Sequence, residues 1–244
     1  MKINYKGQKL LTILICCYKA EKHLKQCLNS LLRQRGIFPF YEILFINDYS
    51  PDRSLSIAQS YSKLLENFRI INNKNNLGVV KSCNLALRSI GTPFFMRLDA
   101  DDFLSPAALG KITQELRANA KNDFIVFQRW DINGENLKRV KTSNDIFSWI
   151  AVGTVFRTQA VRSVGGYSNE FWEEYDLYLK LLDKSAQYKI SPFRIYYYRR
   201  GHSSMTSDSR QSKDGFSRLF KKWGRGFINR HGNIAGALQY YGVK

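Results

Sequence analysis

The sequence has few acidic residues for its length and no long apolar run. Its 244 residues include 20 Asp and Glu against 38 Lys and Arg, which gives a formal net charge of +18 at pH 7. No apolar run is long enough to span a bilayer, and the amino-terminal segment MKINYKGQKL lacks the hydrophobic core of a secretory signal. The sequence therefore predicts a cytoplasmic protein. So large a positive charge also predicts an anionic partner: nucleic acid, an acidic membrane surface or a phosphorylated substrate.

Zinc-ligand and nucleic-acid-binding patterns are also missing. The four cysteines, Cys16, Cys17, Cys27 and Cys83, do not have the spacing of metal ligands, so we expect buried free thiols. No RNP-type aromatic motif or helix-turn-helix signature is present. The positive charge alone would suit a nucleic-acid-binding module, which stays as an alternative. These absences nevertheless make nucleic acid an unexpected partner.

Glycine is missing from the first strand-to-helix turn. The apolar run Leu11 to Cys16 predicts a central strand, and the spacing of leucines predicts a helix over Glu21 to Gln34. The turn between them, Cys17-Tyr18-Lys19, contains no glycine. This excludes a Rossmann loop, a P-loop and the glycine-rich turn of sugar nucleotidyltransferases, because each needs glycine where the backbone approaches phosphate.

Strands and helices then alternate along the chain. Tyr41 to Asn47 and Phe68 to Asn72 predict two further strands, followed by helices over about Arg53 to Asn67 and up to about Arg88. This alternation predicts crossover units and a mostly parallel sheet, since parallel neighbours need a connecting helix.

The middle of the chain predicts a strand and a hairpin. Phe124 to Trp130 is another apolar run, and Asn133-Gly134 is a sequence typical of a hairpin turn. We expect Lys138 to Asp145 to form a polar loop. Trp130, Trp149 and Trp172 could stack on a sugar, although core packing is the alternative for at least one of them.

Three carboxylates follow the apolar strand predicted over Phe94 to Leu98. They are Asp99, Asp101 and Asp102, and we expect Ser105-Pro106 to begin the next helix, with the serine as its N-cap. Residues two apart in an extended segment face the same side, so the first two carboxylates are predicted to converge while Asp102 points away. Converging carboxylates suit Mg²⁺ or Mn²⁺. A solvated acidic turn is the alternative.

Six short segments, in one order along the chain, match motifs that occur together in one protein family. They are Tyr18 with Glu21 and Leu24, Asp48 to Asp52 in place of D-G-S-x-D, Asn76-x-Gly78 with Asn84, Leu98 to Asp102 as L-D-A-D-D, Val164 to Tyr167 with Glu173 to Leu177, and Tyr198 to His202. In this order they resemble the family 2 glycosyltransferases of GT-A fold. The resemblance covers about Leu11 to Met205.

The resemblance implies an α/β fold of the GT-A type, a three-layer α/β/α sandwich around a mostly parallel, mixed sheet. It implies a catalytic domain over residues 1–205, with a nucleotide-binding half at about 1–105 and an acceptor-binding half at about 106–205. It also implies inverting, metal-dependent transfer of a sugar from a nucleotide-diphosphate donor, expected to be a UDP-sugar, to an acceptor hydroxyl. The expected setting is cell-surface polysaccharide, lipopolysaccharide or glycolipid synthesis, with a saccharide or lipid-linked acceptor. A catalytically inactive nucleotide-sugar-binding scaffold is an alternative with the same fold.

The family's catalytic and metal positions transfer to named residues. The resemblance implies that Asp101 is the first ligand of Mn²⁺ or Mg²⁺ and that Asp99 contacts the metal through water or the ribose. His202 matches a position that completes the metal shell or contacts the diphosphate. Glu174 matches the carboxylate that takes the proton of the acceptor hydroxyl. Without the resemblance, acids at this helix start could simply complement the helix dipole.

A second group of residues is implied to bind the nucleotide. Asp48 would accept a hydrogen bond from the imide N–H of uracil, with Tyr18 against the base; an Asx-turn and an ordinary rim aromatic are the structural alternatives. Lys81 could supply a cation that the family places nearer Asn84. The full predicted set is Cys17, Tyr18, Glu21, Asp48, Asn76, Gly78, Lys81, Asn84, Asp99 and Ala100.

A third group is predicted to contact the diphosphate or the acceptor. Its members are Arg199, Arg200, Glu173, Trp172 and Gly153. The chain departs from the family pattern at four positions around the nucleotide. The departures are Cys16, Lys19, Tyr49 and Cys83.

Residues 206–244 form a basic segment of different composition. Its aromatic and leucine residues from Phe216 to Phe227 fall on one helical face, and Arg218 and the lysines and arginine that follow fall on the other. Such a helix can lie in an anionic membrane interface, which would place the protein peripherally on the inner face of the membrane. The alternative is that its apolar face packs on the domain.

Overall fold

The computed structural model describes residues 9–34, 40–65, 67–201 and 208–243. Within these ranges one nine-stranded sheet runs through the molecule, with helices on both faces. No helix in these ranges has the length and hydropathy needed to cross a membrane. The predicted thiols are free cysteines, and three of them are buried while Cys16 is partly buried.

The amino-terminal half forms the parallel part of the sheet. Its elements are β1 (Leu11–Cys17), α1 (Glu21–Leu32), β2 (Tyr41–Asn47), α2 (Ser54–Tyr61), β3 (Phe68–Asn72), α3 (Val79–Ser89) and β4 (Phe94–Arg97). The strands lie in the order β3-β2-β1-β4, and Leu11 of β1 is opposite both Tyr41 and Phe94. Because β1 has neighbours on both sides and helices on both faces, its sequence is apolar except for Thr12, whose buried hydroxyl donates to Glu42 Oε1 at 2.9 Å.

The second half adds antiparallel pairings to the same sheet. Its elements are β5 (Phe103–Leu104), α4 (Ala108–Ala118), β6 (Phe124–Asn133), β7 (Asn136–Val140), β8 (Val155–Arg157), α5 (Thr158–Ser163), α6 (Glu173–Asp183) and β9 (Tyr188–Arg199). Strand β8 runs antiparallel to both β4 and β6, whereas β9 runs parallel to β6. The sheet is therefore mixed, as predicted.

Two cores cover the two faces of the sheet. Alternate residues of β1 divide between them: Ile13 and Ile15 point to the core formed with α1, α2 and α4, while Leu14 points to the core formed with α3, α6 and the carboxyl-terminal helices. This arrangement is the predicted three-layer α/β/α sandwich.

The carboxyl-terminal segment packs on the domain. It forms α7 (Ser209–Trp223), α8 (Arg225–Asn229) and α9 (Ile234–Tyr240). Phe216 and Leu219 of α7 are buried in the second core, where Phe216 lies 4.9 Å from Trp172, centroid to centroid. Of the two alternatives for this helix, the structure has the folded one, so its apolar face is covered by protein.

Three local predictions were wrong or incomplete. The helix α4 begins at Ala108 and Ser105 does not cap it, because β5 pairs with β9 and holds the preceding backbone in a strand, so that the Ser105 N–H donates to Ile195 O at 2.7 Å. The predicted loop after the hairpin turn begins as strand β7, which pairs with β6 from Asn136 onward. Helix α2 ends at Tyr61, short of the predicted end at Asn67.

Candidate active site

The three carboxylates lie on a turn directly after β4. Strand β4 ends at Arg97, and the Asp102 N–H donates to Asp99 O at 3.0 Å, which closes the turn. One carboxylate oxygen from each of Asp99, Asp101 and Asp102 lies within 4.8 Å of the other two. The prediction that Asp102 points away was wrong, because the segment turns and the alternation of an extended strand does not apply.

Asp102 is the most buried of the three. Its Oδ1 accepts a hydrogen bond from the Arg199 N–H at 2.7 Å, whereas its Oδ2 is buried and has no hydrogen-bond partner in the part of the chain that the structure describes. Burial and the neighbouring Asp101 and Asp99 raise the pKa of Asp102 well above its ordinary value. A buried carboxylate oxygen without a partner, among two further carboxylates, fits a divalent cation. The donor set is thus suited to Mg²⁺ or Mn²⁺.

Asp99 is held by Arg97, a residue that the sequence analysis did not single out. Arg97 Nε lies 2.7 Å from Asp99 Oδ1 and Arg97 Nη2 lies 3.1 Å from Asp99 Oδ2, a bidentate ion pair. The third nitrogen, Nη1, lies 3.1 Å from Glu173 Oε1. The sequence signal that could have found Arg97 is a charged residue at the end of an otherwise apolar strand.

Glu174 faces the same cleft from the start of α6. Its Oε2 accepts a hydrogen bond from the Ala151 N–H at 2.9 Å. Burial and the adjacent Glu173 raise the pKa of Glu174 to about 7. A carboxylate with a pKa near neutrality can accept a proton during a reaction and release it afterwards.

The predicted phosphate-binding arginines brace the acidic turn and the end of β9. Arg199 donates from Nε to Asp101 O at 3.0 Å and from Nη2 to Gln26 Oε1 at 2.5 Å. Arg200 donates from Nε to Asp131 Oδ2 at 3.1 Å and stacks on Tyr198, with its guanidinium carbon 4.5 Å from the ring centroid. Both arginines line the cleft, where their predicted contact with a diphosphate or acceptor stays a prediction.

Most of the side chains described above line one cleft of about 160 Å³, whereas Asp102 lies buried behind it. It contains carboxylates from the acidic turn on one side and the two glutamates of α6 on the other. Tyr241, from the carboxyl-terminal segment, closes one edge and shares a hydrogen bond of 2.8 Å with Tyr175. The lining residues are Arg97, Asp99, Asp101, Ile150, Val152, Phe171, Trp172, Glu173, Glu174, Tyr198, Arg199, Arg200 and Tyr241.

Comparison with known families identifies the family of this chain. Residues 12–199 match the model of glycosyl transferase family 2. The chain belongs to this family. The predicted family is confirmed. The acidic turn of the structure contains Leu98 to Asp102, the residues that match the L-D-A-D-D motif of this family.

Curated relatives extend beyond this chain. An uncharacterized glycosyltransferase of Haemophilus influenzae is 37% identical over 116 residues, 48% of this chain and 34% of that protein. The teichoic acid poly(glycerol phosphate) polymerase of Staphylococcus epidermidis is 28% identical over 240 residues, 90% of this chain and 32% of that protein. The chain therefore spans about a third of the length of these relatives. The name of the first relative supports the predicted enzyme class.

Solved structures of two glycosyltransferases share the fold. Staphylococcus aureus TarS 1–349 in complex with UDP-GlcNAc superposes with a TM-score of 0.72 at 19% identity, covering 86% of this chain and 66% of that one. The mannosyltransferase PcManGT from Pyrobaculum calidifontis, in complex with GDP-Man and Mn²⁺, gives a TM-score of 0.71 at 11% identity, covering 98% of this chain and 70% of that one. The predicted GT-A fold is confirmed.

In this family 2 chain, Asp48 organises the loop that the motif analysis assigned to the nucleotide. Its carboxylate accepts hydrogen bonds from Asn73 Nδ2 at 2.8 Å, Leu77 N at 2.9 Å and Gly78 N at 2.8 Å. Asn76 donates from its side chain to the Asp48 carbonyl at 3.2 Å. The side chain of Asp48 is almost wholly buried and holds this loop together, while its contact with uracil stays a prediction.

Reciprocal hydrogen bonds join the turn after β1 to the turn after β2. The Glu21 N–H donates to Asp52 Oδ2 at 3.1 Å, and Glu21 Oε2 in return accepts from Arg53 N at 2.9 Å. Tyr18 lies beside these contacts with 47% of its surface exposed, and Lys19 Nζ lies 5.2 Å from the centroid of its ring. Cys17 is buried behind it. Of these three residues, Tyr18 and Glu21 have surface that a nucleotide could contact, whereas the side chain of Cys17 does not.

The remaining predicted nucleotide residues divide between surface and interior. Lys81 is exposed on α3, and Ala100 is buried in the acidic turn. Asn84 uses both ends of its amide on the backbone of Tyr167: Nδ2 donates to Tyr167 O at 2.8 Å, and Oδ1 accepts from Tyr167 N at 2.9 Å. This amide tethers the glycine turn before α6 to α3, and its predicted nucleotide contact stays a prediction.

The tryptophans and Gly153 have mainly packing roles. Trp149 and Trp172 are buried in the second core, as in the packing alternative, and the Trp172 Nε1–H donates to Ser212 O at 3.3 Å. Trp172 also lines the cleft, where its predicted contact with the diphosphate or acceptor stays a prediction. Gly153 has φ +78°, and a Cβ there would lie 2.3 Å from the Tyr196 ring, so the position requires glycine. His202 lies outside the described residues, and its predicted contact stays a prediction.

Proposed function

We propose that this chain is an inverting, metal-dependent glycosyltransferase that moves a sugar from a nucleotide-diphosphate donor to an acceptor hydroxyl. The observation that carries the proposal is the placement of a cation-ready carboxylate cluster and a glutamate of raised pKa in one cleft. Family membership supports the reaction class.

Asp101, Asp99 and Asp102 would hold the divalent ion. When bound, Mn²⁺ or Mg²⁺ would neutralise the negative charge that develops on a nucleoside diphosphate as it leaves. Among solved relatives in fold, PcManGT was crystallised with Mn²⁺, which is compatible with this assignment. Arg199, which donates to the Asp101 carbonyl, would keep the acidic turn in place.

Glu174 would accept the proton of the acceptor hydroxyl. The hydroxyl oxygen forms a bond to the anomeric carbon while the bond from that carbon to the diphosphate oxygen breaks, and the proton passes to Glu174. The Ala151 N–H fixes Oε2, which leaves Oε1 as the atom that takes the proton. Attack opposite the leaving group in one displacement inverts the anomeric centre.

The donor nucleotide is proposed to be uridine. TarS is in complex with UDP-GlcNAc, whereas PcManGT is in complex with GDP-Man, so the fold accepts more than one base. Tyr18 at the mouth of the β1 turn and Asp48 behind it would recognise the base. Arg200 and Tyr241, which line the cleft, would face the acceptor.

The acceptor is proposed to belong to a cell-surface polymer or glycolipid. Relatives named as a poly(glycerol phosphate) polymerase and a poly(ribitol-phosphate) β-glucosyltransferase support an acceptor of this kind. We also propose that the exposed basic face of α7 rests on an anionic membrane surface. Since the apolar face of α7 is covered, such binding would be electrostatic.

A donor panel tests the proposal. Calorimetric titration of UDP-, GDP- and other nucleotide sugars, with and without Mn²⁺, should give one donor whose binding needs the metal and is lost in Asp101→Ala. Donor hydrolysis or transfer should follow for that donor. Metal-independent binding would contradict the metal assignment, and metal-dependent binding without any turnover would indicate the inactive scaffold instead.

A further inference from the structure

Arg97 connects the two sides of the cleft. Its guanidinium makes the bidentate pair with Asp99 on the acidic turn and the 3.1 Å contact with Glu173 at the start of α6. Among the charged side chains described for this cleft, only Arg97 is in ion-pair contact with both the acidic turn and α6. Seventy-six residues of sequence separate it from Glu173.

The backbone around Arg97 is fixed as firmly as its side chain. The Gly153 N–H donates to Arg97 O at 3.1 Å, and the Leu98 N–H donates to Leu14 O at 2.9 Å. The segment that ends at Gly153 also supplies Ala151, whose N–H holds Glu174. The end of β4 is therefore connected to both glutamates. The Arg97 side chain contacts Glu173, and the segment bonded to the Arg97 carbonyl contains Ala151, which donates to Glu174.

Arginine is the residue type that this arrangement requires. The guanidinium side chain is 10% exposed and presents its donors in a rigid planar fork, so three nitrogens can meet three carboxylate oxygens at once. A lysine at this position would keep the charge but would have one nitrogen for the same three oxygens. Its three N–H donors leave from that single nitrogen, so it cannot make the bidentate pair with Asp99 and reach Glu173 in the same geometry.

We propose that Arg97 is a positioning residue that fixes Asp99, on the donor side, relative to the Glu173–Glu174 pair on the acceptor side. The inference rests on the proposed function. Glu173 is the link through which Arg97 reaches α6, whereas Glu174 is held by the Ala151 N–H instead. Arg97 thereby sets the distance between the bound donor and the base.

The test compares Arg97→Lys with Glu173→Gln and the double variant. Arg97→Lys should weaken Mn²⁺-dependent UDP binding about tenfold and lower kcat about a hundredfold, because small displacements of reacting groups are costly. Glu173→Gln breaks only the link to α6, so it should lower kcat while UDP affinity changes less than about threefold. In the double variant the loss in kcat should match that of Arg97→Lys alone, since both changes break one connection.

Arg129→Lys is the matched control. Arg129 is buried at 7% exposure and pairs with Asp131, two residues ahead, at 2.8 Å, as Arg97 pairs with Asp99, but it does not line the cleft. The control should lower the melting temperature at least as much as Arg97→Lys and leave UDP affinity unchanged. If Arg97→Lys behaves like this control, with lost stability and normal UDP affinity and kcat, the proposal is overturned.

Independent effects would overturn it as well. If the losses in kcat from Arg97→Lys and Glu173→Gln multiply in the double variant, the two residues do not act through one connection. Should the wild type bind UDP with Mn²⁺ but transfer nothing, the proposed function fails. The UDP titration of Arg97→Lys then still reports whether Arg97 holds Asp99, and unchanged affinity would reject that part.

Discussion

Glu174 is the residue proposed to accept the proton of the acceptor hydroxyl. Glu174→Gln should lower kcat about a thousandfold, a typical loss for a general base, and should leave Mn²⁺-dependent UDP binding unchanged. Transfer kinetics and a UDP titration on the same preparation measure both quantities. Near-normal turnover would assign the base to another group.

The same substitution should stabilise the protein above neutrality. Because burial and Glu173 raise the pKa of Glu174 to about 7 in the folded state, its protonation favours folding, and this contribution is present at low pH and lost as the pH rises through 7. A glutamine does not ionise, so Glu174→Gln should gain on the order of 1 kcal/mol at pH 8, a figure reduced for partial exposure. Denaturant unfolding at pH 5 and pH 8 measures it, and a gain at pH 5 alone would contradict this sign.

The rate of the wild type should depend on pH through Glu174. Only the ionised carboxylate accepts a proton, so kcat should fall about tenfold per pH unit below an apparent pKa near 7. Glu173→Gln removes the adjacent charge that raises this pKa, and the acidic limb should then move to lower pH. A limb that stays in place would show that Glu173 does not act on the titrating group.

Single residues mark what the sequence could and could not predict about the site. The acidic turn and Glu174 were found because their residue types and order match a family pattern. Arg97 was missed because its importance depends on Glu173, far away in sequence. Asp102 was assigned the wrong direction because side-chain alternation was applied to a segment that forms a turn.

Helix α7 has one buried face and one exposed basic face, and each leads to a prediction. Phe216 is buried against Trp172 and Tyr241. Phe216→Ala should cost about 3–5 kcal/mol of unfolding free energy, as for other buried aromatics. Denaturant unfolding followed by tryptophan fluorescence measures this loss; a change below 1 kcal/mol, like that expected for exposed Ser217→Ala, would show that α7 packs only weakly.

The basic face of α7 tests the membrane proposal without disturbing the core. Lys213 and Lys221 are exposed, so reversing both to glutamate should release the protein from anionic vesicles at low salt. Reversal of Lys22 and Lys25, exposed on α1, is the control and should release less. Equal release by both pairs would mean that net charge, and no particular face, determines binding.

Local sequence patterns predicted those strands and helices whose formation depends on nearby residues. Strands β1, β2 and β4 were predicted because most of their residues are apolar and buried, as expected for strands inside a sheet that is covered on both faces. The start of α4 was mispredicted because Ser105-Pro106 is a good helix start by itself, while pairing of β5 with β9 decides the backbone there. That pairing joins segments about ninety residues apart, which no local signal records.

The whole molecule places the cleft where the parallel and antiparallel parts of the sheet meet. The amino-terminal half supplies the acidic turn, and the segment after β7 and helix α6 supply Ala151 and the glutamates. With +18 charges the chain attracts anions, and the carboxylate turn is a local exception to that charge. A negative cluster within so positive a protein is suited to concentrate a cation beside an anionic donor.

A crystal grown with Mn²⁺ and UDP tests the central claim most directly, through the anomalous signal of manganese. The account predicts one manganese peak at about 2 Å from a carboxylate oxygen of Asp101, in contact with the UDP diphosphate and within the cleft that contains Glu174. A diphosphate bound without manganese at this turn, or manganese bound elsewhere, would contradict it.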